Sequence, residues 1–116
     1  MSLTDFGVIA YGGHITVTSG TVMQEVVAQA DQVGTDWTIC RVLVRLPENR
    51  RKGYGRLALR KLVGQWNMVR QSNERLLVQP GGYNMPWLEQ CAFYEACGFT
   101  PIGDGVYEYT GCLPPL

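Results

Sequence analysis

Hydrophobic and polar side chains alternate along the first third of the chain. Over residues 13–18, Ile15 and Val17 share one face among β-branched neighbours, the pattern of a half-buried strand. Ser19-Gly20 then signals a turn. Residues 21–30 fit two periods: Val22, Val26 and Ala30 suit a helix, while 22–28 also suit a strand. A strand is favoured because turn residues stand on both sides, the second set being Asp31 to Asp36. Residues 37–46 alternate over their whole length. Trp37, Ile39, Arg41, Leu43 and Arg45 fall on one side, and Thr38, Cys40, Val42, Val44 and Leu46 on the other, which predicts a long central strand.

The period changes at Tyr54. Leu59, Leu62, Val63 and Trp66 recur at helical spacing, with Arg56, Arg60 and Lys61 on other faces, predicting a helix to about Arg70. Leu76-Leu77-Val78 reads as a short buried strand ended by Pro80-Gly81-Gly82. A second helix opens at Asn84-Met85-Pro86 and carries Leu88, Cys91, Ala92 and Phe93 on its apolar side. Gly98 closes it as a left-handed cap, with Phe99 packing back. Residues 106–109 form a final strand. Strand, helix, strand in the middle implies a right-handed βαβ unit within a mixed sheet. With 116 residues, the chain is expected to fold as a single α+β domain over 1–116.

Composition sharpens this picture in one place. The net charge is zero, yet all ten Lys and Arg lie between Arg41 and Arg75, a stretch holding only two acids, Glu48 and Glu74. Such a basic block attracts an anion. Its only aromatic over 41–61 is Tyr54, which argues against a base-stacking nucleic-acid surface. No apolar run approaches a membrane span, and the N-terminus lacks a signal-peptide pattern. Cys40, Cys91, Cys97 and Cys112 form no Cys-x-x-Cys pair, and the sole histidine, His14, is far from them in sequence. These features predict reduced thiols, no metal and a cytoplasmic protein.

The basic block contains Arg50-Arg51-Lys52-Gly53-Tyr54-Gly55, placed after a strand and Pro47 and before the first helix. A helix N-terminus offers unpaired N–H groups and partial positive charge. Glycines let the backbone approach a phosphate closely. A Walker loop is excluded because Gly55 precedes Arg56-Leu57. A dinucleotide loop fits poorly, with only Glu74 available as the acidic ribose binder. On these residues alone a solvated basic turn and a phosphate site remain equal readings.

The pattern Arg50-x-x-Gly53-x-Gly55 resembles the central motif of the GNAT superfamily of acyl-CoA-dependent N-acetyltransferases. Phe93-Tyr94-Glu95-Ala96-Cys97-Gly98-Phe99 resembles that family's second signature, and the two stand in the right order. The resemblance covers Trp37 to about Tyr109. It implies that acetyl-CoA places its pyrophosphate on Arg50, Arg51, Lys52, Gly53, Tyr54, Gly55 and Arg56, mainly on their backbone N–H groups. Its pantetheine arm would run along Leu43, Val44 and Arg45. By the same resemblance Tyr94 donates a proton to the leaving thiolate, and an amine attacks the thioester directly with a strand N–H stabilising the oxyanion. The implied reaction is N-acetylation of a primary amine on a small molecule, peptide or protein. The alternative is a catalytically weak or inactive GNAT-like module that holds CoA or a partner.

Three departures from the family pattern stand out. Arg45 replaces the usual valine before the loop, Trp87 replaces an asparagine, and the usual N-terminal helix pair is not evident. The acceptor side would then be open, or completed by a second subunit in a homodimer. No carboxylate lies in the 37–46 stretch to act as general base. Glu25, Asp36, Glu89 and His14 are the candidates, each also readable as a surface residue. Cys40 reads as a small buried hydrophobe, Trp37, Trp66 and Trp87 as packing, and residues 80–84 as an acceptor-site rim or an ordinary loop.

Overall fold

The computed structural model describes residues 6–19, 26–44, 53–81 and 86–111. Their elements are, in order, β1 (Phe6–Tyr11), β2 (His14–Ser19), β3 (Val26–Val33), β4 (Asp36–Val44), α1 (Tyr54–Val69), β5 (Arg75–Val78), α2 (Trp87–Ala96), β6 (Phe99–Gly103) and β7 (Val106–Tyr109). The strands form one mixed sheet in the order β1-β2-β3-β4-β5-β7-β6. Only β4 and β5 run parallel, and α1 is the crossover between them. The expected α+β architecture with a central βαβ unit is therefore the observed one.

Both helices lie on one face of the sheet. Ile15, Ala30 and Ile39 stand opposite one another across β2, β3 and β4, as do Val17, Ala28 and Val42. Against these rows α1 buries Ala58, Leu59, Leu62, Val63 and Trp66. Fully burying a leucine of this kind stabilises the fold by roughly 1.5–3 kcal/mol. A chain of edge-on aromatic contacts then links α1 to α2: Trp66 to Tyr109 (5.9 Å), Tyr109 to Phe99 (5.4 Å), Phe99 to Tyr94 (5.6 Å) and Tyr94 to Phe93 (5.1 Å). Such pairs add about 0.5–1.5 kcal/mol each beyond their buried area.

The structure amends several readings. β1 and β6 are strands that the hydrophobic pattern did not reveal. β1 joins β2 through Gly12 and Gly13, both with positive φ (47° and 81°), so Gly13 is a hairpin turn residue rather than the start of a strand. β3 runs on to Val33, leaving Gly34-Thr35 as the whole turn. In α2 the inward residues are Cys91 and Tyr94, with Phe93 partly buried. Leu88 is 75% exposed and Ala92 is also exposed, because α2 touches the sheet with a narrower stripe than its apolar content suggests. Gly98 (φ 96°) does end α2, and the buried Phe99 packs on Tyr94.

The alternation in β4 is also broken. Ala30 pairs with Ile39 and Gln29 with Arg41, so Cys40 is an extra, bulged residue. The bulge shifts the side-chain parity, and Trp37, Ile39, Val42 and Val44 all join the helix-covered face. Leu46 and Arg45 lie outside the described residues.

Candidate functional site

β4 and β5 pair over only three positions, Asp36 with Arg75, Trp37 with Leu76 and Thr38 with Leu77. Beyond these, no described residue of β5 pairs with β4, and β5 pairs with β7 through Leu77 and Val78. The two parallel strands thus part in the middle of the sheet. A parted parallel pair leaves backbone N–H and C=O groups of β4 available to an extended ligand.

The end of β4 meets the start of α1. A Cβ placed on Gly55 would lie 3.5 Å from Val42 Cγ1, 3.7 Å from Val44 Cγ2 and 3.9 Å from Phe93 Cζ. Gly53 adopts the left-handed conformation (φ 84°) at the N-cap, which glycine alone takes at no steric cost. No side chain caps α1, and its first turn carries no acidic residue. Its leading N–H groups therefore face outward at the open end of the gap, an arrangement suited to an anion. Val44 and Gly55 meet here, with Leu43, Gly53, Tyr54 and Arg56 as their chain neighbours. Arg45, Arg50, Arg51 and Lys52 lie outside the described residues.

Tyr94 stands behind this junction on α2, only 7% exposed and flanked by Phe93 and Phe99. Burial pushes its phenol up to about 12, so it carries its proton throughout the neutral range.

The face of the sheet away from the helices is different. Among the described elements no helix covers it, and its rows are mostly polar. Val27, at one end, is its buried apolar exception. His14 stands opposite Asp31, and its Nδ1 lies 2.5 Å from Asp31 Oδ1. The other ring nitrogen meets the hydroxyl of Thr16. Cys40, thrown outward by the bulge, donates its thiol hydrogen to Asp31 Oδ2 at 3.1 Å. The ring of Tyr11 lies 5.3 Å from that of His14. Hydrogen bonds from Cys40 and then His14 hold the Asp31 carboxyl below its usual range. Burial, followed by the bond to Asp31, raises the Cys40 thiol to about 11. Cys40 is thus an exposed, protonated donor and not the buried hydrophobe expected.

The other candidate bases have different duties. Asp36 pairs with Arg75 through two contacts, 2.8 and 3.1 Å. Glu89 is exposed in the first turn of α2, and Glu25 lies outside the described residues. Glu74, the residue a dinucleotide loop would have needed, accepts instead from Trp37 Nε1 (2.9 Å), Gln32 Nε2 (2.7 Å) and the N–H of Gln71 (3.0 Å). It ties the α1–β5 connection to the sheet. Trp37 and Trp66 are buried, as expected of packing residues, whereas Trp87 is 52% exposed. Among the described residues, no group of three His, Cys, Asp or Glu could hold a metal ion, and no helix is long and apolar enough to cross a membrane.

No protein-family model matches the sequence, and no curated protein matches it at the sequence level. Solved structures do. The chain is similar to a GNAT-family protein from Desulfovibrio desulfuricans assigned as an acetyltransferase (TM-score 0.63, 18% identity, 84% of this chain and 68% of that one). It is also similar to the ribosomal-protein-S18-alanine N-acetyltransferase of Escherichia coli (TM-score 0.57, 18% identity, 92% of this chain and 76% of that one).

Proposed function

We propose that this chain, which has the fold of the GNAT acetyltransferases, binds acetyl-CoA at the junction of β4 and α1 and transfers the acetyl group to a primary amine. The observation that carries the reading is the parting of β4 from β5 beyond Thr38 and Leu77, directly beside an uncapped helix start with Gly53 and Gly55. The pyrophosphate would rest on the leading N–H groups of α1, helped by the side chains of Arg50, Arg51, Lys52 and Arg56. The pantetheine arm would lie along Leu43, Val44 and Arg45. Bound there, acetyl-CoA supplies an activated acetyl group.

The protein's own contribution would be placement and polarisation. Cys40 stands at the bulge of β4, beside the point where β4 and β5 part, where a strand N–H would serve as donor to a developing oxyanion. Cys40 Sγ keeps its proton at neutral pH, which suits direct attack by the amine over an acetyl-cysteine intermediate. Tyr94 would return a proton to the thiolate. The uncovered face would admit the acceptor, and it leaves room for a protein or peptide amine as well as a small one. The similar enzyme from Escherichia coli is named for a ribosomal protein alanine.

The test is calorimetric titration with acetyl-CoA, followed by thiol release over a panel of primary amines and peptides. Saturable binding with amine-dependent release is expected. Binding without release would leave the alternative, a module that holds CoA. Absence of binding would remove the proposal.

A further inference from the structure

From the hydrogen-bonded row on the uncovered face we infer that His14, held by Asp31, is the proton acceptor for the incoming amine, which arrives over that face. The inference rests on the acetyltransferase reading above. The row begins at the bulged residue Cys40, beside the point where β4 and β5 part. It passes to Asp31 at 3.1 Å and to His14 at 2.5 Å, and ends on Thr16. His14 and Asp31 are accessible there, with side-chain exposures of 23% and 40%.

The chemistry of each member fits a place in the step. A primary amine is an ammonium at neutral pH and must lose a proton before attacking. The Asp31 carboxylate, one strand away from the gap on the open face, attracts that cation. It also accepts the Nδ1–H of His14, which fixes the tautomer and leaves the Nε2 lone pair for protonation. Thr16 donates its hydroxyl hydrogen to Nε2, and the oxygen of Thr16 can accept an N–H in turn. β2 lies two strand spacings, about 10 Å, from β4, so water on the open face completes the path.

In the step, one ammonium proton passes through water or Thr16 to Nε2, giving an imidazolium paired with Asp31. The freed nitrogen lone pair attacks the thioester carbonyl carbon. The C–N bond forms, the C–S bond breaks with its electron pair on sulfur, and the second N–H proton ends on the thiolate. The imidazolium then releases its proton to solvent. The titratable groups against His14 are Tyr11 from β1 and Asp31 from β3, and on the same face β4 carries Cys40, bonded to Asp31, and Arg41. Arg41 acts electrostatically on Cys40. No described helix contributes one.

The test follows kcat/KM against pH for the full chain with an amine that it acetylates. The wild type should show an ascending limb as the proton acceptor loses its proton. His14→Gln should remove that limb and lower kcat/KM about 100-fold at neutral pH, with the KM for acetyl-CoA changed less than about twofold. Asp31→Asn should lower kcat/KM, because the carboxylate that orients the His14 ring is lost. Thr16→Val should weaken the rate without touching the imidazole.

A second readout is independent of turnover. His14 is the only histidine, so its imidazole signals stand alone in an NMR spectrum. They should shift when an amine is added to protein saturated with CoA. A folded His14→Gln that keeps both rate and limb would overturn the inference, as would an imidazole indifferent to the amine. Acetyl-CoA binding with no amine acetylated would overturn it too, yet leave the cofactor reading standing. No acetyl-CoA binding would overturn both.

Discussion

The two faces of the sheet are made by the same strands and solve different problems. The helix-covered face is apolar across β2, β3 and β4 and closes against Leu59, Leu62 and Trp66. The uncovered face carries His14, Thr16, Asp31 and Cys40, interlinked by polar contacts, with Thr38 and Arg41 on the same face. The difference separates stability from chemistry. Substitutions on the first face should unfold the protein, and those on the second should leave it folded and change what it does.

The largest effect expected is Leu62→Ala, a loss of roughly 2–5 kcal/mol from a fully buried site. Thr18→Ser on the uncovered face should stay within about 0.5 kcal/mol. Denaturant unfolding of both variants measures the contrast, and equal losses would show that the faces are not distinct in this sense.

Next comes the pair of glycines at the start of α1. Gly53→Ala forces a side chain into the left-handed region and should cost about 1–2 kcal/mol. Gly55→Ala meets only ordinary contacts in the fold, so its stability should change by less than about 0.5 kcal/mol. Its Cβ should nevertheless weaken acetyl-CoA binding, measured by calorimetry, if the backbone there approaches the pyrophosphate. Unchanged affinity would move the anion away from Gly55.

The pH dependence of stability divides the faces again. Asp31 on the uncovered face, and Asp36 and Glu74 at the start of the central strands β4 and β5, all have folded pKa values below their ordinary ones. The causes are hydrogen bonds from Cys40 and His14, from Arg75, and from Trp37 and Gln71 respectively. A lowered folded pKa gives stability that is present above the ordinary carboxylate range and lost as pH falls through the folded value. The thermal midpoint should therefore fall on acidification below about pH 4. Glu74→Gln and Asp31→Asn should each flatten that fall. Parallel curves for wild type and variants would detach these groups from the acid transition.

A modest effect on stability is expected from Tyr94→Phe, which keeps the ring among Phe93 and Phe99. Its thermal midpoint should move by only a few degrees, while turnover should drop if the phenol serves the thiolate. Normal turnover would make Tyr94 a core aromatic only.

Several features are legible in the order of residues alone. The change from alternation to helical spacing at Tyr54, the strand at Leu76 to Val78 and the Gly98 cap are local signals, and local signals survive folding. The two glycine motifs are legible because a left-handed residue and an uncapped helix start need particular residues at particular positions. β1 stays hidden because Phe6 to Tyr11 contains Gly7, and Val8, Ile9 and Tyr11 are all exposed, so no clean alternation marks it. β6 stays hidden because Thr100-Pro101-Ile102-Gly103 has little strand propensity and is held by pairing with β7.

The sequence by itself determined the types of the elements from β2 to α2 and the glycine-led start of α1, because spacing and glycine chemistry act within a few residues. Only the tertiary structure decided the two things that most affect the chemistry. It placed a bulge at Cys40, which reverses the parity of β4. It also brought His14, Asp31 and Cys40 from three strands into one hydrogen-bonded row. A bulge depends on how one strand lies against its neighbour, and a cross-strand row depends on register. Both are set by packing between segments far apart in the chain, which no local pattern records.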